Sequence, residues 1–341
     1  MKKNYFTLFV SLSIFIYIAC GENNNTDAPA EVGAEVVNTG NSAVDKLTRQ
    51  IAEMPDNASL YAARGGAYYE NENYDEGIED LEKAISIDST RAEYFHVLAD
   101  MYMDYYKSRM ALNTMKRAGE AFPERIPTLL KLAEYELILK QHNDALFTLE
   151  KIRKIDPLNA EMFFMFGRVF KDMGRIEEAG NAFQSAVEND PELIDAWISL
   201  AQIIAEKNPI LAERYFDNAM RIDSNNIDVL HAQAYYFSNI KDDLPEAIRV
   251  YKKINTIDPQ YVEGYFNVGL IYLDMDSVQQ AYQSFDIASK YAPENADVYY
   301  HRGVAAEMMG NNPQALADYK TVLNFDPSYA SAKAGVQRLS Q

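Results

Sequence analysis

The chain is 341 residues long, 48% hydrophobic and 24% charged, enough apolar material for a substantial core and too much for a chain disordered throughout. Its formal charge of -19 repels a phosphate backbone, which argues against nucleic acid as a partner. With Cys20 its only cysteine, the chain forms no internal disulfide and no cysteine metal cluster.

Lys2 and Lys3 open the sequence, and residues 5–18 follow without a charge. That run has the length of a signal h-region and falls short of a membrane span. Ile18-Ala19-Cys20-Gly21 then resembles the lipobox of bacterial lipoproteins, although Tyr17 stands where that family usually has leucine. The resemblance implies a signal peptide over residues 1–19 and lipidation of Cys20, several acyl chains holding a protein on a membrane where one would not. Residues 20–41 are small and polar with no aromatic side chain, which predicts a flexible tether with a reach on the order of 25 Å. Gly21 stands where an aspartate is associated with inner-membrane retention. The expected location is therefore the bacterial cell envelope, at the outer membrane.

Beyond the tether the sequence repeats. Pro55, Pro123, Pro157, Pro191, Pro259, Pro293 and Pro327 are separated by 34 residues or multiples of it, and Ser89 and Ser224 stand at or beside the missing positions. Such a period marks stacked supersecondary units. Within each unit a large residue comes first: Tyr61, Phe95, Leu129, Phe163, Trp197, Leu230, Tyr265 and Tyr299. Four residues later comes a small one: Gly65, Ala99, Ala133, Gly167, Ala201, Ala234, Gly269 and Gly303. Spacing of four places both on one face of a helix, here helix A, the small residue letting a neighbour approach. A second helix, B, shows the reverse order: Gly77, Ala111, Ala145, Ala179, Ala212, Ala247, Ala281 and Ala315 precede Leu81, Met115, Leu149, Phe183, Phe216, Tyr251, Phe285 and Tyr319. The closing proline ends helix B, because it disfavours helical geometry in the residue before it and lacks an N–H.

These residues resemble the tetratricopeptide repeat. The resemblance implies an all-α fold: a right-handed α-solenoid of about eight stacked helix pairs over residues 58–329. A half-repeat at 42–57 carries Ala43 and Leu47 in register, and a capping helix at 330–341 presents Lys333, Gln337 and Arg338 outward. Glu136 and Ala306 depart from the pattern in helix A, as do Ile152, Ile254 and Val322 in helix B. Unit five is one residue short and unit six one residue long, both in the turn from A to B.

In this family helix A lines a concave groove. The resemblance points one column of side chains into it: Ala62, His96, Leu130, Phe164, Ile198, His231, Phe266 and Tyr300. A second column reads Gly66, Asp100, Glu134, Arg168, Gln202, Tyr235, Leu270 and Val304. Repeats that clamp the C-terminal carboxylate of chaperone tails need several basic residues here, and only Arg168 is basic, so that ligand is rejected. Apolar surface is expected in two stretches. One holds Leu130, Leu137, Ile138, Phe164, Met165 and Ile198, the other Phe266, Leu270, Leu273, Tyr300, Val304 and Met308, with the more polar His231 and Tyr235 between them. The run from Met162 to Phe166 has no polar face and must be covered, by a partner or by the stack itself.

His96, His142, His231 and His301 show no metal-ligand spacing, and no phosphate loop or nucleophile elbow occurs. The sequence therefore predicts no enzyme, cofactor or metal, but a membrane-anchored scaffold that binds a helical or extended partner segment, in envelope assembly or secretion. Two alternatives remain at this point. A glycan-binding lipoprotein would stack sugars on Phe266, Tyr235 and Tyr300, though the long loops of that group are missing, and a homo-oligomer would pair through the groove.

Overall fold

The computed structural model describes residues 41–340. The signal peptide, Cys20 and all of the expected tether except Asn41 lie outside these residues. Among the described residues there are eighteen α-helices and no strand. They divide into two compact units between Pro157 and Leu158. The first unit contains α1 (Ser42–Glu53) and the pairs α2 (Ala58–Tyr69) with α3 (Tyr74–Ile87), α4 (Ala92–Asp104) with α5 (Ser108–Ala121), and α6 (Ile126–Ile138) with α7 (His142–Ile155). The second contains α8 (Ala160–Asp172) with α9 (Ile176–Asn189), α10 (Ile194–Ile204) with α11 (Pro209–Ile222), and α12 (Ile227–Asn239) with α13 (Leu244–Ile257). It continues with α14 (Val262–Asp274) and α15 (Val278–Tyr291), α16 (Ala296–Met308) and α17 (Asn312–Phe325), and ends in α18 (Ala330–Leu339). From α2 to α17 the even helices are A and the odd ones B, the stacked-pair architecture expected from the repeat.

The repeated residues set the helix ends. Each B helix stops before the turn that closes its repeat, where Asp88, Asp190, Asp223, Asp258 and Asp326 leave helical geometry and accept the backbone N–H two residues on at 2.7–2.9 Å. Several A helices then start on an asparagine cap. The side chains of Asn159 and Asn226 accept from the N–H groups of Met162 and Val229 at 2.8 and 3.0 Å. Between A and B the chain reverses through one left-handed residue, at Glu72, Tyr106, Lys140, Gly174, Asp242, Asp276 and Gly310. The shortened unit five has no such residue: α10 ends early and Asn208 caps α11 instead. In unit six the extra residue is taken up within 240–243, so both length changes are absorbed in their own turns.

The large-and-small rule has a steric cause. A Cβ added to Gly167 would lie 2.4 Å from the Phe183 ring, and one added to Gly269 would lie 2.5 Å from the Phe285 ring. Each B-helix ring therefore occupies the space that a side chain on its own A helix would need. Ile152, Ile254, Val322 and Ala306, which depart from the pattern, are all fully buried. Glu136 is buried as well, and its Oε2 has no hydrogen-bond partner. The half-repeat differs from expectation: Val44 and Ile51 fill the core while Ala43 is exposed, since among the described residues no helix precedes α1 to press on it.

Sequence reasoning missed a polar element at both ends of the repeat array. Arg64 forks onto Asp80 at 2.6 and 2.7 Å and reaches Thr48 at 3.0 Å. Arg302 forks onto Asp318 at 2.7 and 3.1 Å and reaches Asp286 at 2.9 Å. The three positions recur in register seven repeats apart, and Asp80 and Asp318 have little solvent exposure.

Candidate protein-binding face

The A helices carry the residues expected to meet a partner, and the structure separates them. In the first unit Leu137 is buried, Leu130 half-buried and Ile138 exposed. The carboxylates on this face are paired there: Glu93 accepts from Arg125 at 2.7 Å, and Asp100 from Lys131 at 2.8 Å and the Tyr135 hydroxyl at 2.5 Å. His96 meets the Thr128 hydroxyl at 3.0 Å.

In the second unit Met165 and Ile198 are buried by the chain's own packing. With Leu137 they offer a partner little surface, which corrects the expectation for these three residues. The run from Met162 to Phe166 is closed in the same way. Met162, Met165 and Phe166 are buried, and Phe163 and Phe164 are half-buried against the cluster around Phe183, the Phe164 and Phe183 rings lying 5.6 Å apart. The periodic pattern could not reveal this, because neighbouring helices inside a stack cover more of each A helix than one face. Arg168 is half-buried with its guanidinium 3.4 Å from the Met165 sulfur.

What remains accessible lies farther along the second unit. Tyr235 is 36% and Met308 53% exposed, and Phe266, Leu270, Leu273, Tyr300 and Val304 are half-buried. Ring contacts, edge-on around Phe266 and tilted at Tyr300, hold the aromatic groups in place. Phe266 meets Phe285 at 5.7 Å and His301 at 5.2 Å, and Tyr300 meets Tyr329 at 5.1 Å. His231 sits edge-on to Tyr251 and Tyr261 at 5.7 and 6.2 Å, and His301 Nδ1 donates to the Asp297 backbone carbonyl oxygen at 2.8 Å, which fixes Nδ1 as the protonated nitrogen. Burial pushes His96, His231 and His301 below the ordinary histidine range.

Beside the apolar column runs an acidic one that the sequence reading did not single out. The second residue of successive A helices is Glu161, Asp195, Asp228, Glu263 and Asp297. Partial loss of solvent from packed neighbours, and then the nearby Asp228, hold the Asp195 carboxyl above its usual range, with Arg168 pulling the other way. Its signal in the sequence is the repeat period, legible once position two is aligned across units.

Among the described residues no three His, Cys, Asp or Glu side chains stand close enough to hold a metal ion. In the first unit an open hollow of about 550 Å³ lies at the turns lined by Asn57, Ile87, Arg91 and Tyr94.

Antiparallel helix pairs with this spacing define a helical-repeat protein. Tetratricopeptide repeats are recognised within it: one family model of that description matches residues 58–91 and 160–193, and another matches 267–330. The chain is similar to Tetratricopeptide repeat protein 6 of Homo sapiens, 28% identical over 160 residues, covering 45% of this chain and 29% of that protein. It is also similar to Protein O-mannosyl-transferase TMTC3 of Homo sapiens, 21% identical over 277 residues, covering 79% of this chain and 30% of that one. The chain thus spans about a third of the length of these curated relatives. Among solved structures it resembles the APC/C hetero-tetramer Cut9-Hcn1, with a TM-score of 0.53 and 15% identity over 87% of this chain and 58% of that chain. That likeness concerns the fold. Proteins built of this repeat generally mediate protein–protein interactions and are typically non-enzymatic scaffolds.

Proposed function

We propose that this protein is a lipid-anchored adaptor of the bacterial cell envelope that binds a helical or extended segment of a partner protein on the A-helix face of its second unit. The observation that carries the binding claim is the row of incompletely covered apolar side chains from Tyr235 through Phe266 and Tyr300 to Met308. Side chains of this size left open on successive helices are ready to lose water to a partner. The anchor rests on Cys20 and the apolar run before it, the outer-membrane location on Gly21 after the cysteine, and a role in envelope assembly or secretion on the anchor and the binding face together. The histidines support a non-catalytic reading, since His231 and His301 are engaged in ring contacts with their neighbours. The ring contacts of Phe266 and Tyr300 weigh against sugar stacking, because neighbouring rings already crowd both.

Two measurements test the proposal. Palmitate labelling of cells expressing the wild type and a Cys20→Ala variant should mark only the wild type; equal labelling removes the anchor. Proteins cross-linked to the chain in the envelope should be lost from a folded Tyr235→Asp, Met308→Asp variant, and an unchanged set removes the binding face.

A further inference from the structure

We infer that Glu136 works the α6–α7 pair as a proton-operated latch, packed while the carboxyl keeps its proton and opened locally to water once the proton leaves. The device lies in the first unit and is separate from the binding face on the second.

The position belongs to the apolar layer between helices A and B. The flanking repeats place Tyr102 and Phe170 there, and no other repeat places an acid. Glu136 is 3% exposed and hydrogen-bonds Thr148 of α7, itself 2% exposed, while its Oε2 is sealed without a partner. The charges that face it come from two neighbouring helices. Lys116 of α5 and Lys151 of α7 favour the ionised form, and Asp144 of α7 opposes it. Both lysines are engaged elsewhere: Lys116 Nζ donates to Gln141 and Asp144 at 3.3 Å, and Lys151 Nζ lies 4.9 Å from the centre of the Phe147 ring. From α4, His96 reaches α6 only through the Thr128 hydroxyl, 3.0 Å from its Nε2. A carboxylate formed here would have neither water nor a bonded cation, which is the costly case for a buried charge.

Separating α6 from α7 gives that carboxylate its water. Burial holds the closed carboxyl above the usual 4.5, so between 4.5 and the raised value opening releases one proton, and each pH unit multiplies the open population by about ten. Below 4.5 both forms keep the proton and the pair stays packed. His96 acts in the opposite sense: burial makes the closed form resist a proton, so its part in the packing weakens as pH falls. The opening stays local because each pair in a stack leans only on its neighbours, and α7 is the last helix of its unit. Leu149 and Ile152 of α7, fully buried in the closed pair, come to the surface with it. Loss of the proton therefore presents apolar surface at the end of the first unit.

Hydrogen exchange of the full chain in detergent, read by mass spectrometry from about pH 5 to about pH 8 and corrected for the intrinsic rate, tests the latch. Protection of peptides from residues 126–155 should fall by about tenfold over a pH unit within that range, while α4 and α5, residues 92–121, keep theirs. Glu136→Gln and Glu136→Leu should both abolish the fall, the leucine leaving the pair better protected at the upper end. Thr148→Val removes the hydroxyl that favours the ionised form and should move the fall to higher pH; valine already stands at the equivalent Val250. Protection of 126–155 that ignores pH, a fall that survives both Glu136 variants, or a fall shared equally by α4 and α5 overturns the inference. A Thr148→Val chain that opens at lower pH does so as well.

Discussion

Glu136 offers the sharpest test of the packing argument. It stands where the repeat usually places a large apolar residue, is 3% exposed, and keeps Oε2 without a partner. Burial raises its carboxyl above the usual 4.5, helped by the nearby Asp144 and opposed by a hydrogen bond with Thr148 and by Lys116 and Lys151. The sign follows from linkage. The folded chain holds this proton to higher pH than the unfolded chain, so stability falls as pH rises from about 4.5 through the raised folded value, and the deficit persists above it. Leucine at this position removes a buried polar group worth about 1–3 kcal/mol when unsatisfied and restores the apolar contact, for a net gain of about 2 kcal/mol at neutral pH. Urea unfolding followed by circular dichroism should show Glu136→Leu more stable than wild type at about pH 8, with the advantage shrinking toward about pH 4. A gain of the same size at both pH values, or a variant less stable at the higher one, would refute the reasoning.

Asp318→Ala strips the half-buried Arg302 of its buried, forked partner and should destabilise the second unit by about 3 kcal/mol, measured by the urea midpoint. Asp286→Ala, at a more exposed contact of the same guanidinium, should cost much less. Gly269→Ala forces a methyl within 2.5 Å of the Phe285 ring and should lower stability by about 1–3 kcal/mol. Combined with Phe285→Leu, its penalty should shrink, and thermal melts of the double-mutant cycle would expose any additivity that contradicts the contact. His231 is held below its ordinary value of 6.5 by burial, so as pH falls through 6.5 the unfolded chain takes a proton the folded chain resists, and stability drops. His231→Phe should flatten that part of the stability profile, and an unaltered slope would place the titration elsewhere.

The all-helical stack was legible in the sequence because its cause is local and repeated. Gly167 and Phe183 serve as an example: a glycine on A and a ring on B, at constant separation, state both the helical period and the close approach that the coordinates display as a Cβ with no room. The Asp-Pro turns were legible for the same reason, since a side chain that bonds its own backbone and a residue without an N–H act within a few positions. The accessible part of the A-helix face was less so. Met165 and Ile198 read as groove residues by register, yet neighbouring helices bury them, because exposure depends on residues a full repeat away in sequence. The pairing of charges was likewise decided only in three dimensions. Glu93 and Glu263 occupy the same position of the repeat, and folding gives one an arginine while leaving the other without a cation. Periodicity fixes which way a side chain starts out from its helix; what it meets there is a property of the packed stack.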